Sequence, residues 1–235
     1  MTSGLPNPSP SASSYHIVFV QLTASSSPQA ESGTSHSHSN STADGSMSVA
    51  QLLKNPLYWA LAFSAAAIAT GAVTLGTILV PLAVSWGIER ADAAILASVM
   101  SLIGIVGSVA FGWVADKLGG AKGLALLAVN SAILWAILLI QPPFPVLIVI
   151  IGLIGMHGAG MIPNLSRGIA DTFGAASFSR GFGLFSLVSL PFTVVAIVGS
   201  QAVYSSTGSY SGAIIAMIVF FIVAAVFALG SSRQA

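Results

Sequence analysis

The chain has no cysteine, which excludes disulfides, thiolate nucleophiles and cysteine-ligated metals. Charge is almost as scarce. Seven basic and six acidic residues make up 6% of 235, where a soluble globular domain carries about 25%. No ordinary water-facing surface can be built from so few. The net charge of +1 is too small to suggest nucleic-acid binding, which draws on clustered basic side chains. What the chain does have is apolar: 55% of residues are hydrophobic and mean hydropathy is +0.92. The class is a multi-span integral membrane protein.

Residues 1–46 differ sharply from the rest. They are rich in Ser, with Gly, Pro, Thr and Asn, and contain neither Lys nor Arg. Such a segment buries too little apolar surface to offset its ordering entropy, so a disordered cytoplasmic tail is expected. The run from His16 to Val20 is too short to span a bilayer, and the tail has neither the basic start of a secretory signal nor the arginines of a transit peptide. His36 and His38 read as solvated polar residues of that tail. No metal site and no cofactor is expected.

From residue 56 the chain stays apolar. Six stretches of about twenty residues, near 57–84, 92–113, 123–141, 146–166, 181–203 and 211–230, match the length a helix needs to cross about 30 Å of hydrocarbon. They are apolar on all sides, which excludes the two-residue alternation of a barrel. The expectation is an all-α membrane protein with a six-helix bundle over 50–230 and a short cytoplasmic tail at 231–235. With the first span starting inside, Lys54, Lys117, Lys122, Arg167, Arg180 and Arg233 lie in the cytoplasm and Arg90 lies outside, as the positive-inside rule requires. Both termini are then cytoplasmic, and the plasma (inner) membrane is the expected location.

Close helix packing in lipid needs small residues. Gly104, Ser108 and Gly112 form a stripe on the second span, and Gly152, Gly155, Gly158 and Gly160 mark the fourth. Pro81, Pro163 and Pro191 each remove a backbone hydrogen bond within a span.

The loop after the second span runs from Gly112 through Asp116, Lys117, Gly119 and Gly120 to Lys122. Asp116 follows a helix end whose exposed carbonyls favour cations, so it needs basic partners such as Lys117 or Lys122. Gly119 and Gly120 allow a tight reversal. This loop resembles the G-x-x-x-D-R/K-x-G-R/K-R/K loop of the major facilitator superfamily, which joins the second and third helices of each six-helix half. One basic position of that pattern is Gly120 here. Two further stretches, Asn55-Pro56-Leu57-Tyr58-Trp59 and Tyr204 to Tyr210, resemble the second half of the monocarboxylate and oxalate/formate branch. The resemblance covers about 50–230 and implies one half of a major-facilitator-type bundle, the complete fold having twelve spans. An amino-terminal six-helix half or a second copy of the chain is the implied partner, and the tail resembles the loop between halves. An Arg of that branch, four residues before the motif glycine, is replaced by Ser108, and the fifth span has no Lys or Arg beyond Arg180 at its start.

The expected function is transport of a small solute, a small organic monocarboxylate by resemblance, through alternating access with a proton as candidate co-substrate. The candidate pathway residues are His157, Met161 and Asn164 on one face of the fourth span. Thr70, Thr74 and Thr77 on the first and Ser186, Ser189 and Thr193 on the fifth add polar stripes. His157 is the ionisable side chain deepest within a span. Two alternatives remain at this level: a truncated or mis-started fragment that does not transport, and a six-span intramembrane enzyme. The second is disfavoured because no G-x-S-x-G occurs.

Overall fold

A computed structural model describes residues 47–232, with side chains to residue 230. The tail 1–46 with His36 and His38, and residues 233–235 with Arg233, lie outside the described residues. Among the described residues there are seven α-helices and no strand: α1 (Val49–Lys54), α2 (Pro56–Ser85), α3 (Arg90–Leu118), α4 (Gly120–Leu138), α5 (Phe144–Phe173), α6 (Phe178–Thr207) and α7 (Ser211–Ser232). Helices α2 to α7 are long and apolar enough to cross a membrane. The protein is an all-α membrane protein.

Local chemistry sets the helix boundaries. The Asn55 side-chain oxygen accepts from the Leu57 N–H at 2.9 Å, and Pro56 occupies the first turn of α2. This is the N-cap that the Asn-Pro pair encodes. Gly208 ends α6 in the left-handed region, φ +70°, and its N–H donates to the Tyr204 carbonyl. Tyr204 and Tyr210 then stack across the turn into α7, ring centres 4.4 Å apart.

The helices overrun the apolar stretches that announce them. A thirty-residue helix is about 45 Å long, against about 30 Å of hydrocarbon. Helix α5 continues beyond the expected break at residue 166 to Phe173. Arg167 and Asp171 pair there at 2.9 Å, one turn apart, so polar side chains keep the helix going outside lipid. All three internal prolines lie within helices that continue past them.

Helix α2 touches every other span. Helix α3 packs chiefly on α5, α4 on α7 and α5, and α6 chiefly on α2. Polar side chains tie these contacts. The Tyr58 hydroxyl donates to the Gly181 carbonyl at 2.7 Å, linking α2 to α6, and the Ser64 hydroxyl donates to the Ala224 carbonyl at 2.9 Å, linking α2 to α7. In lipid such bonds replace the missing hydrophobic drive.

The α3–α5 seam is the tightest. A Cβ on Gly155 would run into the Met100 carbonyl, one on Gly107 into the backbone of Met156, and one on Gly160 into the Phe111 ring. The α3 side of this seam is Gly104, Gly107 and Phe111, all buried, rather than the expected row Gly104, Ser108 and Gly112. A strict four-residue step drifts about 40° around the helix each time, whereas alternating steps of three and four stay on one face. Ser108 is exposed and takes no part in the seam.

Replacing Gly155 by Ala should destabilise the protein by roughly 1–3 kcal/mol, the usual cost of overpacking. Gly76→Ala, where the new methyl meets nothing within 4 Å, should be neutral or slightly stabilising. Thermal unfolding of the two variants in one detergent compares them directly.

Candidate functional site

The candidate site is a groove floored by glycine. Where α2, α3 and α5 meet, the small side chains that permit the seam leave a hollow of about 460 Å³. Ala72 and Gly76 supply one wall, Met100, Ser101, Gly104 and Ser108 another, and Gly155, Gly158 and Ala159 the floor. No charged side chain lines it. Its polar groups are the hydroxyls of Ser101 and Ser108, which donate to the Ala97 and Ile105 carbonyls of their own helix at 3.1 and 2.8 Å. Each oxygen keeps lone pairs, and its proton can turn to another acceptor.

Two helices have little cover: α3, which lines the groove, and α6, which does not. Only 22% of the most apolar stretch of α3 and 11% of that of α6 is buried, against about half in α2, α4 and α5. Leu102, Ile105, Val106 and Val109 on α3, and Leu187, Leu190 and Val195 on α6, are all exposed by more than half. Ser186 is likewise exposed and bonds the Phe182 carbonyl at 3.0 Å.

The sequence-derived candidates separate into three places. His157, Met161 and Asn164 do share one face of α5, but in this structure that face is buried against α3 and α4 and does not line the groove. His157 Nδ1 bonds the Leu153 carbonyl, and its ring lies 5.2 Å from that of Phe111. Since a carbonyl only accepts, Nδ1 carries the hydrogen, and Nε2 is the nitrogen left to take a proton. The Asn164 amide donates to the Phe111 carbonyl at 3.2 Å and the Gly160 carbonyl at 2.7 Å, bridging α5 to α3.

Thr70 and Thr193 meet directly, hydroxyl to hydroxyl at 3.1 Å, and join α2 to α6. Ser189 accepts from the Thr193 hydroxyl at its carbonyl, 3.0 Å away. Thr70 and Thr74 line a second cavity on the far side of α2. Thr77 is exposed and bonded to the Val73 carbonyl at 2.8 Å. The groove residues that sequence reasoning missed include Ser101, Gly76 and Ala159. Ser101 was detectable, since it stands seven residues from Ser108 and therefore on the same face.

The motif loop divides its labour differently from expectation. Gly119 sits at φ +84°, ψ +154°, a conformation open almost only to glycine. Gly120 has another role: a Cβ there would strike the Gly168 nitrogen and the Asn164 carbonyl, so glycine lets α4 touch α5. Gly112 is partly buried, near Pro163. The partner of Asp116 is Arg167 of α5, at 3.9 Å, and not Lys117 or Lys122. Lys117 lies over the Trp113 ring, 6.0 Å from its centre, and Lys122 lines a small hollow with Asp171 and Thr172. Spatial neighbours outrank sequence neighbours because α5 returns alongside the loop. The ion pairs are largely exposed, so each contributes at most about 1 kcal/mol.

No family model matches the chain. The chain is similar to proteins named Monocarboxylate transporter 12. It is 28% identical to that of Rattus norvegicus over 158 residues, 65% of this chain and 32% of the relative. The Xenopus laevis protein is 28% identical over 166 residues, 68% of this chain and 36% of the relative, and the Homo sapiens protein 28% identical over 158, covering 65% and 30%. The matched stretch thus spans about a third of each relative's length. Six apolar helices packed around α2 and an α3–α4 loop that resembles the major-facilitator pattern accompany this likeness to about a third of each monocarboxylate transporter.

Proposed function

We propose that the chain forms one half of a secondary carrier that moves a small organic monocarboxylate across the plasma (inner) membrane by alternating access. The groove between α2, α3 and α5 is its share of the substrate path. A second six-helix half, or a second copy of the chain, covers the bare faces of α3 and α6 and closes the path from one side at a time. The observation that carries this reading is the groove itself. It is small, hydroxylated and glycine-floored, and one of its walls is α3, a helix that the bundle leaves largely uncovered. The names of the relatives supply the substrate class.

Ser108 stands where the family resemblance puts an arginine, and no cation lines the groove. Recognition of a carboxylate therefore falls to the partner half, with Ser101 and Ser108 donating hydrogen bonds. His157 is assigned the proton: Nε2 takes it up once α3 and α5 part, because the ring is sealed behind Phe111 in the present packing. The transporting assembly needs the covering half or the second copy, so a fragment that pairs with neither would not transport.

The lack of native cysteine makes groove access directly measurable. Ser101→Cys and Ser108→Cys should react with a membrane-impermeant maleimide in cells, whereas Ser131→Cys, buried on α4, should not. Loss of reactivity at position 108 on adding a small monocarboxylate would place substrate in the groove; equal reactivity at positions 108 and 131 would remove the groove from the path.

Transport itself is tested in proteoliposomes with radiolabelled lactate, pyruvate and butyrate, using the chain alone and the chain co-purified with whatever half it associates with. Saturable uptake stimulated by an inward proton gradient is expected for the assembly. His157→Gln should abolish the stimulation while leaving exchange without a gradient within about threefold, since a mutation that removes only the proton step spares the rest. Gradient-stimulated uptake in the Gln variant would take His157 out of the mechanism.

A further inference from the structure

The second cavity has chemistry that transport through the groove does not use. It lies between α2, α4, α6 and α7, holds about 360 Å³, and is lined mainly by apolar side chains, among them Phe192, Val195, Met217 and Phe220. Its wall contains two buried polar atoms without a partner: the Thr74 hydroxyl on α2 and the Trp135 indole nitrogen on α4. Both side chains are 1% exposed. The other hydroxyls on the wall are engaged, Thr70 with Thr193 and Ser200 with the Ile197 carbonyl.

An indole N–H can only donate. Left unpaired in a low-dielectric interior it costs free energy, so buried donors of this kind are ordinarily satisfied. A ligand that satisfies it must bring an acceptor. No charged residue lines the cavity, so the acceptor is uncharged, and the apolar wall asks for an apolar body. The rim is open, since Val195 is 70% exposed and Phe192 is 37% exposed on α6, and α6 touches α7 only sparsely.

Depth narrows the chemistry. Trp135 is in the last turn of α4, Val203 near the end of α6, and Ala213 and Met217 in the first two turns of α7. These ends gather on the face of the bundle opposite the motif loop. Carbonyls of lipid esters lie at that level, where hydrocarbon gives way to head groups. We propose that this cavity is a binding site for a neutral ester- or ketone-bearing lipophile, whose carbonyl oxygen accepts from Trp135 Nε1 and Thr74 Oγ1 while its alkyl part leaves between α6 and α7. The ester of a membrane phospholipid and a free fatty ester share this chemistry.

Trp135 serves as its own reporter once Trp59, Trp86 and Trp113 are replaced by Phe in the full chain. In micelles, methyl bromolaurate should quench Trp135 fluorescence saturably. Bromododecane, which has the same body without the acceptor, should bind about 25-fold more weakly, the worth of two net hydrogen bonds at about fivefold each. Thr74→Val should weaken the ester by about fivefold and leave the bromoalkane unchanged. Equal affinities for the two probes, quenching that never saturates, or a Val variant that binds the ester as before would each overturn the site. Should the triple Phe variant not fold, tritiated methyl laurate binding to the unaltered chain and to Thr74→Val gives the same comparison. In vesicles of brominated phosphatidylcholine, quenching that methyl laurate relieves identifies phospholipid as the resident; quenching that it does not relieve, alongside saturable ester binding in micelles, identifies a free neutral ester.

Discussion

In lipid nothing pushes helices together, because the solvent is as apolar as the side chains. The bundle instead depends on how closely two backbones can approach, and α3 and α5 approach most closely. Gly155 lies against the Met100 carbonyl, Gly107 against the Met156 backbone and Gly104 over the Gly155 carbonyl. Contacts this near collect dispersion from many atom pairs. They have a second consequence. A face of glycine and alanine that continues past the seam has nothing to fill the space, so Gly158 and Ala159 become the floor of a groove. One composition produces both the packing and the hollow beside it.

How much of this was legible can be judged residue by residue. The six spans and their order follow from run length alone, since crossing hydrocarbon fixes a minimum of apolar residues. Helix ends did not follow, because a helix extends beyond lipid wherever its own side chains support it, as Arg167 and Asp171 do in α5. The Asn55 cap and the Gly208 terminus needed only local chemistry and could be read directly. Which face of α5 meets solvent could not. His157, Met161 and Asn164 are correctly grouped by spacing, but whether they face a path or a neighbour depends on where α3 lies, and periodicity contains no such information.

The α3–α4 loop shows the same division. Its Asp-Lys-Leu-Gly-Gly run suggested a local charge pair, yet Asp116 reaches Arg167, fifty-one positions along the chain (167 minus 116). Asn164, three residues before Arg167, bridges to the Phe111 carbonyl and lies against Gly123, where a Cβ would meet its side-chain oxygen. Charge pair, amide bridge and glycine contacts occupy the same end of α5. The loop therefore works as a clasp between α3, α4 and α5, and its glycines record the separation of those helices more than the tightness of the turn.

The electrostatics of the groove bear on the proposed cargo. A carboxylate moved from water into a cavity without a cation loses its hydration and gains two hydroxyl donors in return, which falls well short of what an isolated ion requires. Either a cation faces the groove from the covering half, or the charge is cancelled by a proton travelling with the substrate. These routes are not exclusive, and the role proposed for His157 belongs to the second. His157 keeps a ring nitrogen free behind Phe111, beside the seam whose parting would expose it. An empty groove without charge is cheap to close, whereas one holding an unpaired carboxylate is not. On the proposed function, a half built in this way favours closing either when empty or when its cargo has been neutralised, which is the condition for coupling solute to proton without a leak of either alone.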